Sequence, residues 1–396
     1  ARAEQSVWCA PPEVRNASEL GQALGRSGAG GWVRGIGYHE TVAGELDAEK
    51  LDTFFPDLVD RPIRIQHRTG RLWMLNGCAL RRIGPIPSRF DSCATQPGRL
   101  FDADEWLVTR IPKDSLSLSP TSRRLAAWGV AGVTDATPRN GKAELALFRQ
   151  AMESGDLVQD VLLMGNADLG TARRDRPGLD VGPRKFHLHE ATLPDVAAVA
   201  RDIRVARSQS RNVAFHCVTL AELAFITACL HETGSRPGDR IEHGSVIPQS
   251  MLPDLRSLGV TVVTQPHFIR ERGDNYLAEI RRDEHDWLYP AASLLEAGIP
   301  LAGGSDAPFG GANPWRSMHA AVTRTTPTNS IIAPRERLTP EQAVRLYLGS
   351  AGAPGMVRSL AASSPATLCL LDRPWAKARH PLDEVRITLT KKKTNS

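Results

Sequence analysis

With 41% apolar and 23% charged residues over 396 positions, the chain has the composition of an ordinary globular protein, long enough for a barrel of ~250 residues with additions. A net charge of +5 is small for this length. Its basic residues are mixed with acids apart from Lys391–Lys393, which argues against nucleic acid as a partner. No run approaches the ~18 apolar residues of a membrane span, and the six cysteines are scattered without a Cys-x-x-Cys pair, a pattern that predicts reduced thiols in a cytoplasm.

Residues 1–20 read as polar and irregular, followed by a helix from Glu19 to Leu24. The glycines at 28–31 make a turn before the strand Trp32–Tyr38, not a phosphate loop, because no helix follows in register. Lys50–Leu58 is a short helical piece, Pro62–His67 alternates like a strand, and Arg71–Leu80 has a helical look. Residues 83–118, rich in Pro, Arg and Ser, read as a long loop, and about 20–120 as an insertion or lid.

From residue 120 the rhythm is regular. Seven short strands, at 130–135, 158–164, 184–189, 213–217, 240–243, 260–265 and 299–303, alternate with helices. Such alternation means βαβ units and a parallel sheet, as in a (β/α)8 TIM barrel whose first strand is missing or displaced. Thr339-Pro-Glu-Gln342 opens a further helix. Strands at 366–372 and 385–389 belong to a small β domain, so we expect a barrel over 1–356 and β-sandwich strands over 357–396.

Lys185, His216, His243 and Asp306 each fall at or near the end of a different one of these strands. In a parallel barrel such ends converge on one site. Imidazole and carboxylate are the natural ligands of zinc and similar divalent ions, which acidify a bound water that a nearby carboxylate can deprotonate. His187-Leu-His189 shares the strand of Lys185, and with a period of two the three side chains lie on one face. These two histidines are expected to line the pocket, with a substitute-ligand role as the lesser alternative. Arg272, on an expected loop 268–287, could meet a polar or acidic substrate group.

Taken together, several words resemble the amidohydrolase superfamily in its YtcJ-like branch. They are Ala131-Gly-Val-Thr134, Arg184-Lys185, Ala214-Phe-His216-Cys-Val-Thr219, Asp239-Arg-Ile-Glu-His243, Val262-Val-Thr-Gln-Pro266, Gly303-Gly-Ser-Asp-Ala-Pro308, Leu338-Thr-Pro-Glu-Gln-Ala343 and Ala366–Asp372. The resemblance implies a metal-dependent hydrolase barrel. By it, Lys185 is a fourth-strand ligand that can be carboxylated to bridge two metals, and His216 and His243 are fifth- and sixth-strand ligands. Asp306 is the acid that binds metal and activates water. His67, Asn76 and His267 would contribute to the substrate pocket.

The family pattern also has a His-x-His pair on its first strand, and nothing in residues 1–20 supplies it. His187-Leu-His189 is not that pair, since only four strands follow it before Asp306. The expectation is therefore a chain that begins after the metal-binding strand and holds metal weakly or not at all. The implied activity is hydrolysis of a non-peptide C–N bond in an amide, cyclic amide or N-acyl group. The implied cofactor is a divalent ion, zinc first and manganese or iron as alternatives. The partners are a small-molecule substrate and a second copy in a homodimer, with no nucleic acid or membrane. Metal-dependent ester or phosphoester hydrolysis and a non-catalytic barrel are the competing functions.

Overall fold

The computed structural model describes residues 5–392 apart from 12, 28–30, 91–95, 113–116, 359–360 and 362–366. The chain divides into two compact units, 1–121 and 122–396.

The first unit is built on a five-stranded sheet, ordered Val7–Trp8, Val33–Tyr38, Ile63–His67, Leu72–Leu75 and Arg99–Phe101. Its first two junctions are parallel and the last two antiparallel. The Arg71–Leu80 stretch is therefore not one helix: a strand at Leu72–Leu75 precedes a helix at Gly77–Ile83. The reason is burial on both faces. Leu72 and Met74 enter one apolar cluster and Trp73 and Leu75 another, so the run shows no alternation and cannot be told from a helix by pattern. Within the expected loop 83–118, the strand Arg99–Phe101 and a helix Asp104–Arg110 pack Leu100 and Leu107 into the second cluster. The glycine turn at 28–30 and parts of that loop lie outside the described residues.

In the second unit seven parallel strands follow one another in the sheet: β1 (Gly132–Asp135), β2 (Asp160–Gly165), β3 (Leu179–Phe186), β4 (Val213–Cys217), β5 (Arg240–His243), β6 (Thr261–Thr264) and β7 (Leu301–Gly303). An antiparallel strand at Arg173–Arg176 pairs with β3. This is a curled TIM-type part-barrel, with the seven strands that the sequence predicts. Among the described residues the edge strands β1 and β7 are not paired with each other. The helix after β7 nonetheless reaches the turn before β1, where Trp315 Nε1 donates to the carbonyl of Trp128 at 3.1 Å.

Helices pack outside this sheet in a core cluster that includes Phe186, Phe215, Ile241, Val262 and Leu301 from the strands, with Ile203, Ile226 and Leu255 from the helices. Leu382 and Val385, near the C-terminus, enter the same cluster. A two-stranded ribbon, Thr367–Leu371 against Ile387–Lys392, ends the described chain. The expected loop 268–287 is mostly helical: His267–Glu279 forms a helix whose Ile269 and Gly273, four apart, face inwards, and Arg282–Trp287 a 3-10 turn.

Candidate active site

Register decides which side chains meet. Lys185 pairs with Ala214, which pairs with Arg240, and His216 pairs with Glu242. Paired residues share a face, and Phe186, Phe215 and Ile241 on the other face are packed among helices. Lys185, His216 and Glu242 therefore line the inner side of the curled sheet. Lys185 and Glu242 are each only 8% exposed.

By alternation His243 would follow Ile241 toward the helices. It does not, because its φ of 74° breaks the strand geometry. Its ring lies 4.6 Å from that of His216, centroid to centroid. Gln265 fixes its orientation: the amide Nε2 donates to Val263 O at 3.2 Å, so Oε1 accepts from His243 Nδ1 at 2.9 Å. That leaves His243 Nε2 with its lone pair toward the site, the tautomer a metal ligand requires.

Alternation continues past the last paired residue of β3. Phe186 and Leu188 both enter the core, so Lys185, His187 and His189 share the opposite side. The His187 ring is 4.4 Å from His189 and 4.7 Å from His216. One ligating nitrogen from each of His187, His189 and His216 lies within 4.8 Å of the others.

Asp306 is delivered by the glycine pair that ends β7. A Cβ on Gly303 would stand 2.4 Å from Tyr347 Cζ, so only glycine lets the chain pass that ring. Three hydrogen bonds in series then hold the turn. Tyr347 Oη donates to Ser317 Oγ at 2.7 Å, Ser317 donates to His267 Nδ1 at 3.0 Å, and His267 Nε2 donates to the Ser305 carbonyl at 3.0 Å. The carbonyl at the end sets the direction, since it can only accept. His267 is thus a positioning residue for the turn. Ser317→Ala breaks two of these bonds and leaves buried partners unpaired; we expect a loss of about 1–3 kcal/mol, read from urea unfolding. Tyr347→Phe, which removes only the first, should cost less.

The site is electrostatically tense. Burial pushes the Asp306 carboxyl up to about 6, against the charges of Arg272 and Lys185, which favour its ionised form. Burial lowers the Lys185 amine, opposed by Glu242 and Asp306. Burial likewise takes His216 far below its usual range, His243 down to about 3 and His267 down to about 4. A histidine depressed in the folded state stabilises the fold above its unfolded pKa near 6.5, and that stability is lost as pH falls toward the folded value. Asp306, raised from 3.8 to about 6, acts the opposite way, with stability lost as pH rises through that interval. Three histidines outweigh one acid between about pH 6 and 4. In metal-free buffer the urea midpoint should therefore fall steadily on acidification from pH 6.5 to 4; a flat or rising profile would contradict this balance.

The donor set fits a divalent ion. Burial holds the His216 and His243 imidazoles neutral, and Glu242 Oε1, on the same inner side, is buried without a hydrogen-bond partner. Lys185, His216, His243, His187 and His189 are brought together, and Asp306 is close enough to bias Lys185. Arg272 bears on Asp306 by charge while its guanidinium sits 3.9 Å over the Phe268 ring and donates to the Phe309 carbonyl. His267 has both ring nitrogens committed.

His67 and Asn76 belong to the first unit. His67 Nε2 lies 3.1 Å from Glu40 Oε2. Asn76 is spent on backbone: its Oδ1 caps Ala79 N at 3.0 Å and accepts from Ile63 N at 2.9 Å, and its Nδ2 donates to Arg61 O at 2.9 Å. With its amide thus used, Asn76 shapes the start of a helix. Glu242 and Gln265 were missed as site residues, though each lies within a quoted word, Glu242 in Asp239–His243 and Gln265 in Val262–Pro266. Ser317 and Tyr347 carried no signal.

Residues 7–393 match the model of the amidohydrolase family. The chain is 30% identical over 157 residues to the N-substituted formamide deformylase of Arthrobacter pascens, covering 38% of this chain and 29% of that protein. It is 27% identical over 166 residues to the amidohydrolase YtcJ of Bacillus subtilis (strain 168), covering 40% and 31% respectively. The matched stretches thus span about three-tenths of each of these curated relatives. In three dimensions it resembles a metal-dependent hydrolase from Pyrococcus horikoshii OT3 with a TM-score of 0.69 at 21% identity, over 87% of this chain and 76% of that one.

Proposed function

Because the chain belongs to the amidohydrolase family, we propose that it hydrolyses a non-peptide C–N bond in a small molecule, an amide, cyclic amide or N-acyl compound. The observation that carries this reading is the convergence of Lys185, His216 and His243, from β3, β4 and β5, with Asp306 from the turn after β7 and Glu242 beside them. The Arthrobacter relative, whose name specifies N-substituted formamides, supports the choice of a C–N bond.

Lys185, as amine or carboxylated, with His216, His243 and Asp306, would hold a divalent ion, zinc in the first instance, which supplies an acidified water and a charge that polarises the substrate carbonyl. Asp306 is the proton carrier. Its carboxylate can accept a proton from the attacking water and return it to the departing nitrogen, which leaves poorly unless protonated. Arg272 favours the ionised Asp306 that takes the first proton and that the second transfer restores. Gln265 keeps His243 in its ligand tautomer.

The test is a panel of matched N-formyl, N-acetyl, cyclic-amide, carboxylic-ester and phosphoester substrates, offered to zinc-loaded protein. Turnover confined to the C–N members supports the proposal. Turnover confined to esters, or none that chelation removes, would refute it.

A further inference from the structure

We propose that His187 and His189 are metal ligands that, together with His216, form a three-imidazole site at the loop ends of β3 and β4. This rests on the reading of the strand ends as a metal-dependent centre, and goes beyond it by adding two ligands from the stretch that follows β3.

Three observations carry the assignment. The first is proximity: the nitrogens lie within 4.8 Å of one another, and modest side-chain rotation would bring them to the ~3.3 Å spacing that tetrahedral Zn–N bonds of ~2.0–2.1 Å impose. The second is rigidity. Phe186 and Leu188 are anchored in the core on either side of His187. Glu190 N donates to Glu222 Oε1 at 3.0 Å and Thr192 N to His189 O at 2.9 Å, so the backbone beyond the strand is held as well. The third is exposure. His216 is half-buried, whereas His187 is exposed, so the group opens toward solvent. Three protein nitrogens with one open position are the ligand count of a catalytic zinc site.

Packing agrees with this: the three imidazoles stand ring against ring with centroids 4.4, 4.7 and 5.7 Å apart. On this assignment the ion sits on the His187 side of His216, and Lys185, His243 and Asp306 border it from the inner side of the sheet.

Cobalt(II) titrated into the metal-free chain, followed by its visible ligand-field bands and by isothermal calorimetry, tests the site without reference to turnover. We expect His187→Ala and His189→Ala each to weaken cobalt binding by at least tenfold and to alter the bands, and His216→Ala to abolish them. Since His187 is exposed, circular dichroism of its variant should be unchanged. If both variants bind like the parent while His243→Ala or Asp306→Asn loses the metal, the three-histidine site is overturned and the broader metal reading stands. If the parent chain binds no cobalt, zinc or manganese, both are overturned.

Discussion

Asp306→Asn should lower kcat by about 10²–10⁴, the usual worth of a positioned acid–base group, with the fold intact. Asparagine has the same shape but can neither take a proton from water nor deliver one to a leaving amine. Stability should not suffer. The buried carboxyl already resists ionisation, with a pKa pushed up to about 6, so a neutral amide removes a charge that the site disfavours. The urea midpoint at pH 8 should therefore stay level or rise while turnover collapses. Activity within threefold of the parent would remove Asp306 from the chemistry. A large fall in stability would instead assign its carboxylate a structural role in the turn after β7.

The second large effect concerns the scaffold that delivers Lys185. Arg211 is fully buried, and its guanidinium donates to four carbonyls, those of Gly182, Asn166, Gly165 and Pro183. These oxygens lie where the register of β2 against β3 shifts between Leu163 and Gly165, and such an irregularity frees ladder carbonyls that need donors. Burial lowers the Arg211 pKa to about 10, which still leaves it charged at neutral pH. Arg211→Met keeps most of the volume but strands all four acceptors. At about 1–3 kcal/mol for each unsatisfied buried group, the loss should exceed ~4 kcal/mol, enough to unfold many domains. The check is soluble yield and the urea midpoint of the variant. A midpoint close to the parent would mean that water replaces the guanidinium and that the register shift needs no internal donor.

Alternation of short apolar strands with helices was legible from residue 120 onward because each βαβ unit repeats the same local demand, a strand buried on both sides and a helix covering it. The four candidate residues were legible for the same reason, each being a polar residue at or near the end of one of these strands. Legibility failed where burial removes periodicity, as in Leu72–Leu75, and where a polar helix hides its few inward residues, as in His267–Glu279. Asn76 shows a different limit. A word shared with a family marks a position, and the same asparagine can serve by capping a helix.

By itself the sequence determined the class of fold and the order of its seven parallel strands, and it placed Lys185, His216, His243 and Asp306 at or near strand ends, since these follow from local pattern and chain order. Only the tertiary structure decided which imidazoles meet. His187 and His189 lie beyond the last paired residue of β3, where no ladder fixes direction, and it is the burial of Phe186 and Leu188 that turns them toward His216. His243 joins them through a left-handed backbone that strand alternation cannot foresee. The proximity of side chains from different strands is a property of register and curvature, and those arise from packing between elements.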